Sequence, residues 1–482
     1  MPTSRTWLSP LFCVALLALL ATLPFAYNRA DPDLWHRLAV GEIVFQTGAV
    51  ARTDSFAYTP KKELWIDHEW GSGVVFYAVR EWFGDNGLVA LKFLMITAVT
   101  MILLATAANW TPFAIVPAFA VIWGLLPYYT SVIRCQVFTF LFFALWHWTL
   151  RAARNDRPRL LILLPVTMLF WANLHGGFLA GIGLLVMFAA GEWFNGRRPW
   201  FVLAALVAAL LVSLANPYGA AMWRYLIAAV SMARPGIEEW APNNLGGTGI
   251  RAYLILAALV AVARLREKGL RLLTADWTQT IIIGVTIFLA LQHRKHNPLF
   301  LLASAPAVLA GFRGLVSQTR ASLLTRVSPR AVNLLRASAL STIYLFLLLV
   351  VIATARGNRY ALQVSEPLYP VRAVAFIRQS GLSGNLLVPF NWGSYALWEL
   401  RGRCRVSIDG RYEEVYTDDT FLALAAFAHH SPGWERALNA YANEIILLPQ
   451  SSPVLSAVKA TGAWRVAYED ETAVVLRKRD NS

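Results

Sequence analysis

Charge is what this sequence has least of. Only 15% of its 482 residues are Asp, Glu, Lys or Arg, while 57% are hydrophobic. A water-soluble domain carries about a quarter charged residues, because its surface must be hydrated. An ordinary soluble enzyme, a disordered chain and a collagen are therefore excluded. Cysteine is scarce as well: Cys13, Cys135 and Cys404 are the whole set. An odd number, with two of them inside apolar runs, gives no basis for a disulfide framework or a cysteine metal cluster. There is no Gly-rich phosphate loop, no Ser-His-Asp spacing and no metalloprotease motif. Acidic residues are outnumbered, 43 Lys and Arg standing against 28 Asp and Glu, a formal charge of +15.

Long apolar stretches are abundant. A spanning helix needs roughly 20 mostly apolar residues. Residues 9–27, 87–108, 112–128, 133–150, 160–174 and 178–194 approach that pattern, as do 200–215, 250–263, 277–291, 298–312 and 337–355. They predict a polytopic α-helical membrane protein with about 11 transmembrane helices. The first stretch is long for a cleaved signal peptide, and whether cleaved or kept it exports the segment after Tyr27. Threading the chain from a cytoplasmic N-terminus puts Arg151, Arg154, Arg157 and Arg159 on an inner loop, then Arg197 and Arg198. Arg264, Arg266, Lys268 and Arg271 come on the next, and Arg313, Arg320, Arg326, Arg330 and Arg336 on the last. That distribution obeys the positive-inside rule. The last run has no interleaved aromatics, which suits lipid headgroups and not nucleic acid. An odd number of spans sends the C-terminus outside. Residues 1–355 are thus expected to form the membrane domain and 356–482 an exported one.

The exceptions to the charge rule are informative. Gln292-His293-Arg294-Lys295-His296 falls on the outer side, and Arg134 opens a span from that side. Cations that break the pattern at a membrane edge are candidate binding groups; here Arg134, Arg294, Lys295 and His296 form a candidate phosphate-binding rim. His175, in Trp171-Ala172-Asn173-Leu174-His175-Gly176-Gly177, joins two spans on the same side. A histidine there needs a partner or a substrate.

The first outer loop, residues 28–86, is too long for a connector. It opens with Asp31-Pro32-Asp33 and the helix-like run Leu34-Trp35-His36-Arg37-Leu38-Ala39. Gly48, Thr53-Asp54-Ser55 and Trp65-Ile66-Asp67-His68-Glu69-Trp70 come after it, then an amphipathic stretch over 74–83 that ends at Gly84. A carboxylate where bilayer meets water can act as a general base, or can hold a divalent cation beside a phosphate. A helix N-cap, with Pro32 at the first helical position, explains the same residues structurally.

In this layout the chain resembles the GT-C glycosyltransferases, polytopic enzymes that move sugars from polyprenyl-phosphate donors on the outer membrane face. In their aminoarabinose transferases and protein O-mannosyltransferases the first outer loop begins with an acidic pair and an aromatic-containing helix. A Gly-containing turn and a second helix ending in Phe-Gly come next. Asp31, Trp35, Ala39, Gly48 and Phe83-Gly84 fall in matching order. The resemblance implies that Asp31 is the catalytic acid-base residue. Pro32 occupies the second acidic position, and the second carboxylate arrives one residue later as Asp33; this spelling is similar to the metal-binding motif of oligosaccharyltransferase catalytic subunits. Asp33 or Glu69 would assist Asp31. No cofactor is required, and a divalent cation (Mg or Mn), if used, would have Asp31 and Asp33 as ligands. In such enzymes later outer loops close over donor and acceptor, which is the place of the loop carrying Arg224, Arg234 and Glu238-Glu239-Trp240.

From about residue 356 the composition becomes that of a soluble domain. Alternation and periodicity give helices at 371–379, 395–400, 421–428, 434–441 and 454–461, and strands at 385–390, 405–408 and 444–448. A hairpin of 465–468 with 473–476 closes a small α/β domain of about 120 residues. Two motifs stand out, Asn391-Trp392-Gly393-Ser394-Tyr395 and Ser407-Ile408-Asp409-Gly410-Arg411-Tyr412. Trp392, Tyr395, Asp409 and Arg411 are candidates to contact a sugar acceptor by stacking and hydrogen bonds. Asp409-Gly410 is equally a turn signal.

The leading expectation is a GT-C-like transferase of the bacterial inner (plasma) membrane, with its N-terminus cytoplasmic and its C-terminal domain extracytoplasmic. Its partners would be a polyprenyl-phosphate-linked sugar, a lipid, glycan or protein acceptor, and membrane lipids, with no nucleic acid. The alternatives are a transporter or flippase for an anionic lipid or glycan, and a non-catalytic assembly partner. A basic rim suits the transporter equally. The long acidic first loop does not, nor does the sequence show the inverted repeat of interrupted helices typical of transporters.

Overall fold

The computed structural model describes residues 28–106, 115–125, 132–155, 157–232, 238–243, 248–356, 361–366 and 368–479. The stretch expected to span at 9–27, and Arg234, lie outside them. The chain divides into two compact units. One gathers residues 1–28, 85–216 and 231–361, the other residues 29–84, 217–230 and 362–482.

Helix α1 (Pro32–Thr47) opens the second of these. Pro32 supplies a preset φ at its first position, and Gly48 ends it in the left-handed conformation, φ 68. Helix α2 (Trp70–Thr106) is interrupted at Gly84, whose φ of 65 and ψ of −168 a side chain would resist. There the chain passes from one unit to the other. The half before the break packs on α1 through two glycines. A β-carbon on Gly41 would collide with the Gly73 carbonyl, and one on Gly73 would stand 2.6 Å from the Arg37 carbonyl oxygen. Small residues let two helix backbones approach closely, and here they fix the direction of the helix that begins at Asp31.

In the helical unit, helices lie within every stretch expected to span after the first. They are the rest of α2, α3 (Ile115–Leu125), α4 (Gln136–Arg154), α5 (Leu163–Leu174), α6 (Phe178–Phe194) and α7 (Trp200–Val212). After α8 (Ala220–Ser231), which lies mainly in the other unit, come α9 (Thr248–Lys268), α10 (Trp277–Gln292), α11 (Asn297–Leu324) and α12 (Pro329–Arg356). Trp70–Thr106 and Arg294–Leu324 are long and apolar enough to cross a membrane. Phe201, Leu211, Ile255, Leu259, Phe288 and Leu334 are exposed. Apolar side chains turned outward in such number have lipid, not water, as a favourable solvent. Where α6 meets α10, Arg154 bridges Glu192 at 3.1 Å and Asp276 at 2.8 Å, and Asn195 Oδ1 caps α10 by accepting the Trp277 N–H at 2.9 Å.

The other unit is built on a five-stranded sheet. Its elements are α13 (Val371–Gln379), β1 (Gly384–Leu387), α14 (Phe390–Glu399), β2 (Cys404–Val406), α15 (Asp418–Ala428), β3 (Ile445–Pro449), α16 (Leu455–Ala460), β4 (Trp464–Glu469) and β5 (Ala473–Lys478). The order is β2-β1-β3-β5-β4. The first three strands are parallel, Leu386 facing both Val406 and Ile445, and β5 pairs antiparallel with β3 and β4. The α/β expectation for the C-terminal residues is met, with the helix at Phe390 starting five residues earlier than its apolar pattern begins. The unexpected feature is the company the sheet keeps. Val40, Val44, Ala57 and Trp65 from the first loop share one apolar core with Leu387, Ile446, Leu448, Val474 and Leu476. Residues 56–62 run along β2 and the chain as far as Val415: Val406 N–H donates to Phe56 O at 3.0 Å and Lys62 N–H to Val415 O at 2.8 Å. The loop thereby covers a sheet edge that would otherwise be open.

Candidate active site

Asp31 sits at the start of α1 with extended backbone, φ −81 and ψ 145, and its Oδ1 accepts the Asp33 N–H at 2.9 Å. The N-cap reading is therefore correct. It is compatible with chemistry, since a carboxylate has more lone pairs than one cap uses. Asp31 is buried, 7% exposed. Asp33 points its Oδ1 at Gly410, where a β-carbon would be only 2.7 Å away. The Gly410 N–H donates to Ser394 Oγ at 3.0 Å, and that oxygen meets His36 Nδ1 at 3.0 Å. Arg37 Nε donates to His36 Nε2 at 3.0 Å. A guanidinium has only protons to offer, so Nε2 accepts and the neutral ring carries its proton on Nδ1, directed at Ser394.

Trp35, next on the helix, stands edge-on between Tyr369 and Tyr395, with centroids 5.7 and 5.1 Å away. Burial raises both phenols, so they stay protonated donors. Tyr369 donates to Ala30 O at 2.9 Å, one residue before Asp31. The structure thus brings Asp31, Asp33 and Tyr395 around a single aromatic cluster. Trp392, expected with Tyr395 at a sugar acceptor, is buried and donates Nε1–H to Leu368 O at 3.1 Å.

Behind α1 lies a denser charge cluster. Arg37, 2% exposed, pairs with Asp67, with Glu69 at 3.3 Å and with Glu414 at 3.3 Å. His68 lies 3.5 Å from Glu69 and 3.2 Å from Glu414. Burial opposes a charge on His68, but Glu414 and Glu69 outweigh it and raise the ring to about 9. Burial also pushes Asp67 up, against the pull of Arg37. For Glu414 burial works the same way, yet Arg37 and His68 win and hold it below its usual value. Glu69 is thus embedded in this cluster.

Asp409 and Arg411, expected at an acceptor, are instead enclosed in the unit's interior, 0% and 1% exposed. Arg411 binds Asp409 through Nε at 2.8 Å and Nη2 at 2.6 Å, and Asp54 through Nη1 at 2.5 Å. Tyr416 donates to Asp409 Oδ2 at 2.6 Å. Burial alone would raise Asp54; Arg411 and the backbone N–H groups of Ala57 and Phe56 overcome this and hold it down. This arrangement fastens residues 54–57 to the C-terminal domain. The sequence signal of a Gly-Arg after an Asp was read as surface chemistry because the partner, Asp54, is far away in the chain.

The helical unit carries the basic rim. Arg134 pairs with Glu239, and Arg294 with Glu238 at 2.5 Å. Lys295 Nζ stands over the Trp240 ring, and His293 Nδ1 donates to Trp240 O at 2.6 Å. The backbone strengthens the joint: Arg294 N–H donates to Ala241 O at 3.1 Å and Asn243 N–H to Leu291 O at 3.2 Å. Arg134, Arg294 and Lys295 each meet a short acidic-aromatic strap that sequence reading assigned no detailed part. His296 begins α11 beside them. His175 ends α5 and accepts the Gly177 N–H on Nδ1 at 2.8 Å, with Thr139 Oγ1 also 2.8 Å from it. Because an amide N–H only donates, the proton of the neutral ring is on Nε2. Thr139 in turn accepts from Trp171 Nε1 at 2.9 Å.

A polytopic helical unit, a sheet-based C-terminal domain and a long first loop with a capped acidic helix define a recognisable class of membrane fold. The chain is similar over 92% of its length to 70% of the Archaeoglobus fulgidus oligosaccharyltransferase in the apo form, with a TM-score of 0.63 at 12% identity. It is similar over 99% of its length to 99% of ArnT from Cupriavidus metallidurans bound to undecaprenyl phosphate, with a TM-score of 0.53 at 14% identity. The apo state of that ArnT gives 0.54 at the same identity. No protein-family model and no curated protein sequence matches the chain. The chain therefore shares its fold with the oligosaccharyltransferase and ArnT structures, in line with the resemblance read from the first loop.

Proposed function

We propose that this chain is a GT-C-type membrane glycosyltransferase that moves a sugar from a polyprenyl-phosphate donor to an acceptor on the extracytoplasmic face of a bacterial inner membrane. The observation that carries the reading is end-to-end likeness to ArnT, whose structure holds undecaprenyl phosphate, combined with a carboxylate at the head of the first-loop helix. Asp31 takes the proton of the acceptor nucleophile as that nucleophile attacks the sugar's anomeric carbon. The bond to the donor phosphate breaks, and the polyprenyl phosphate leaves as an anion. Asp33, fixed against Gly410, and Glu69 assist Asp31 by electrostatics and orientation. Arg134, Arg294 and Lys295 neutralise the phosphate, and His296 offers it a hydrogen bond; charge-assisted contacts of the first kind contribute roughly 1.5–3 kcal/mol each. A divalent cation, if bound, would take Asp31 and Asp33 as oxygen ligands and would supply further charge for the phosphate. Trp35, Tyr369, Tyr395 and Trp392 hold the helix start in place.

Asp31→Asn tests the reading. It keeps the cap acceptor and removes the base. Membranes carrying the full chain are given a radiolabelled polyprenyl-phosphate sugar, and release of label from the lipid is measured over time. Loss of release with normal membrane insertion is expected. Release at the unsubstituted rate would leave a transporter or an assembly partner as the better account.

A further inference from the structure

The rim that would hold the donor phosphate already holds an anion of its own. Glu238 and Glu239, adjacent in sequence, reach Arg294 and Arg134 respectively. The two arginines lie on separate segments, before α4 and before α11, so the glutamate pair is what joins them. Each arginine is largely enclosed, 17% and 13% exposed in the side chain, whereas Glu238 is 85% exposed and Glu239 35%. The cations belong to the body of the unit and the carboxylates lie nearer solvent. Arg294 Nε is buried and has no hydrogen-bond partner among the described residues, so its fork is only partly used by Glu238. Lys295 is turned onto Trp240 of the same strap. Carboxylate and phosphate oxygens compete for the same guanidinium geometry, and phosphate offers more acceptors and more charge.

We propose that Glu238 and Glu239 are an internal stand-in for the donor's phosphate group. In this state the strap closes the anion site, and a phosphate-bearing lipid enters by displacing both carboxylates and releasing Trp240 from Lys295. The inference rests on the assignment of Arg134 and Arg294 to the phosphate. It adds a competition that sets the apparent affinity: the site is available only for the fraction of time the carboxylates are away.

The test uses the full chain in nanodiscs, with binding of undecaprenyl phosphate measured for the parent, for E238Q/E239Q and for R294A. Glutamine keeps the size and the hydrogen-bonding reach while removing the charge. Exposed ion pairs are weak, so removing both should tighten binding by about three- to tenfold. R294A should weaken it. Unchanged or weaker binding by a folded E238Q/E239Q, with R294A still impaired, overturns the stand-in and leaves the phosphate rim intact. Undiminished binding by R294A overturns the rim itself. Inorganic phosphate is added as competitor to separate the headgroup from the lipid chain. Competition that strengthens in E238Q/E239Q supports displacement by the phosphate group. A gain for the lipid that inorganic phosphate never contests would locate the effect on the polyprenyl chain and sink the proposal.

Discussion

Asp33 and Gly410, 377 positions apart in the sequence, face each other so closely that a β-carbon on the glycine would stand 2.7 Å from the Asp33 carboxylate. The tip of a short side chain can move aside, so Gly410→Ala should change stability by less than about 1 kcal/mol. If Asp31 is the base proposed above, misplacing a group beside it is expensive for catalysis, and transfer should fall about tenfold or more. Gly393→Ala makes the contrast, because its new methyl meets the Ile408 carbonyl and the backbone cannot yield. That variant should lose about 1–3 kcal/mol. Thermal unfolding and the label-release assay separate the two; full transfer by Gly410→Ala would show that the position of Asp33 is immaterial.

Arg411 should be indispensable for folding. Arg411→Met strands Asp54 and Asp409 in the interior, and breaking a buried pair in this way costs about 3–5 kcal/mol. The same pair sets an acid limit. Asp54 is held below its ordinary 3.8, so its contribution is complete above that pH and is lost as pH falls through the lower folded value. Melting temperatures of the parent should drop in that acid range, and Asp54→Asn, less stable throughout, should show a shallower drop. Parallel curves would mean that Asp54 is not the titrating group.

His68 should set an alkaline limit. Its ring is raised from 6.5 to about 9, so the stabilisation is fully present below 6.5 and fades as pH climbs through about 9. The loss should be on the order of 2 kcal/mol. His68→Gln should abolish this dependence. NMR of a ring-labelled sample supplies an independent reading, and titration near 6.5 would contradict the raised value.

Gly191 should govern assembly of the helical unit. A β-carbon there collides with the backbone of Thr278, on α10. Gly191→Ala should cost about 1–3 kcal/mol and Gly191→Leu more, with less monodisperse protein recovered in detergent. Unchanged recovery of the leucine variant would deny the close approach of α6 and α10.

The helices were legible because apolar runs announce themselves, and the acidic cap was legible because Asp31-Pro32-Asp33 is a local signal. The C-terminal strands were equally plain from short apolar runs. What local reading could not supply was pairing across long separations. Arg37 looked like one polar position in an amphipathic helix; its partners Asp67 and Glu69 were noted as a cluster, but Glu414 carries no mark that would link it to them. Asp54 was named only within Thr53-Asp54-Ser55 of the first loop, so Arg411 was left without the partner that buries it. For Arg134 and Arg294 the sequence flagged a departure from the charge rule, while the strap that pairs with them had to await the structure.

The Asp54–Arg411 and Arg37–Glu414 pairs span 357 and 377 residues, and this bears on how the protein comes into being. At about 5–20 residues per second, the segment that answers Asp54 leaves the ribosome some 20–70 seconds after it. On the proposed topology, the first loop is exported during that interval with carboxylates and an arginine that lack their eventual partners. A nascent chain in that condition is a natural client for chaperones on the far side of the membrane, and a stop codon ahead of residue 411 would leave the Asp31 helix without its counterpart.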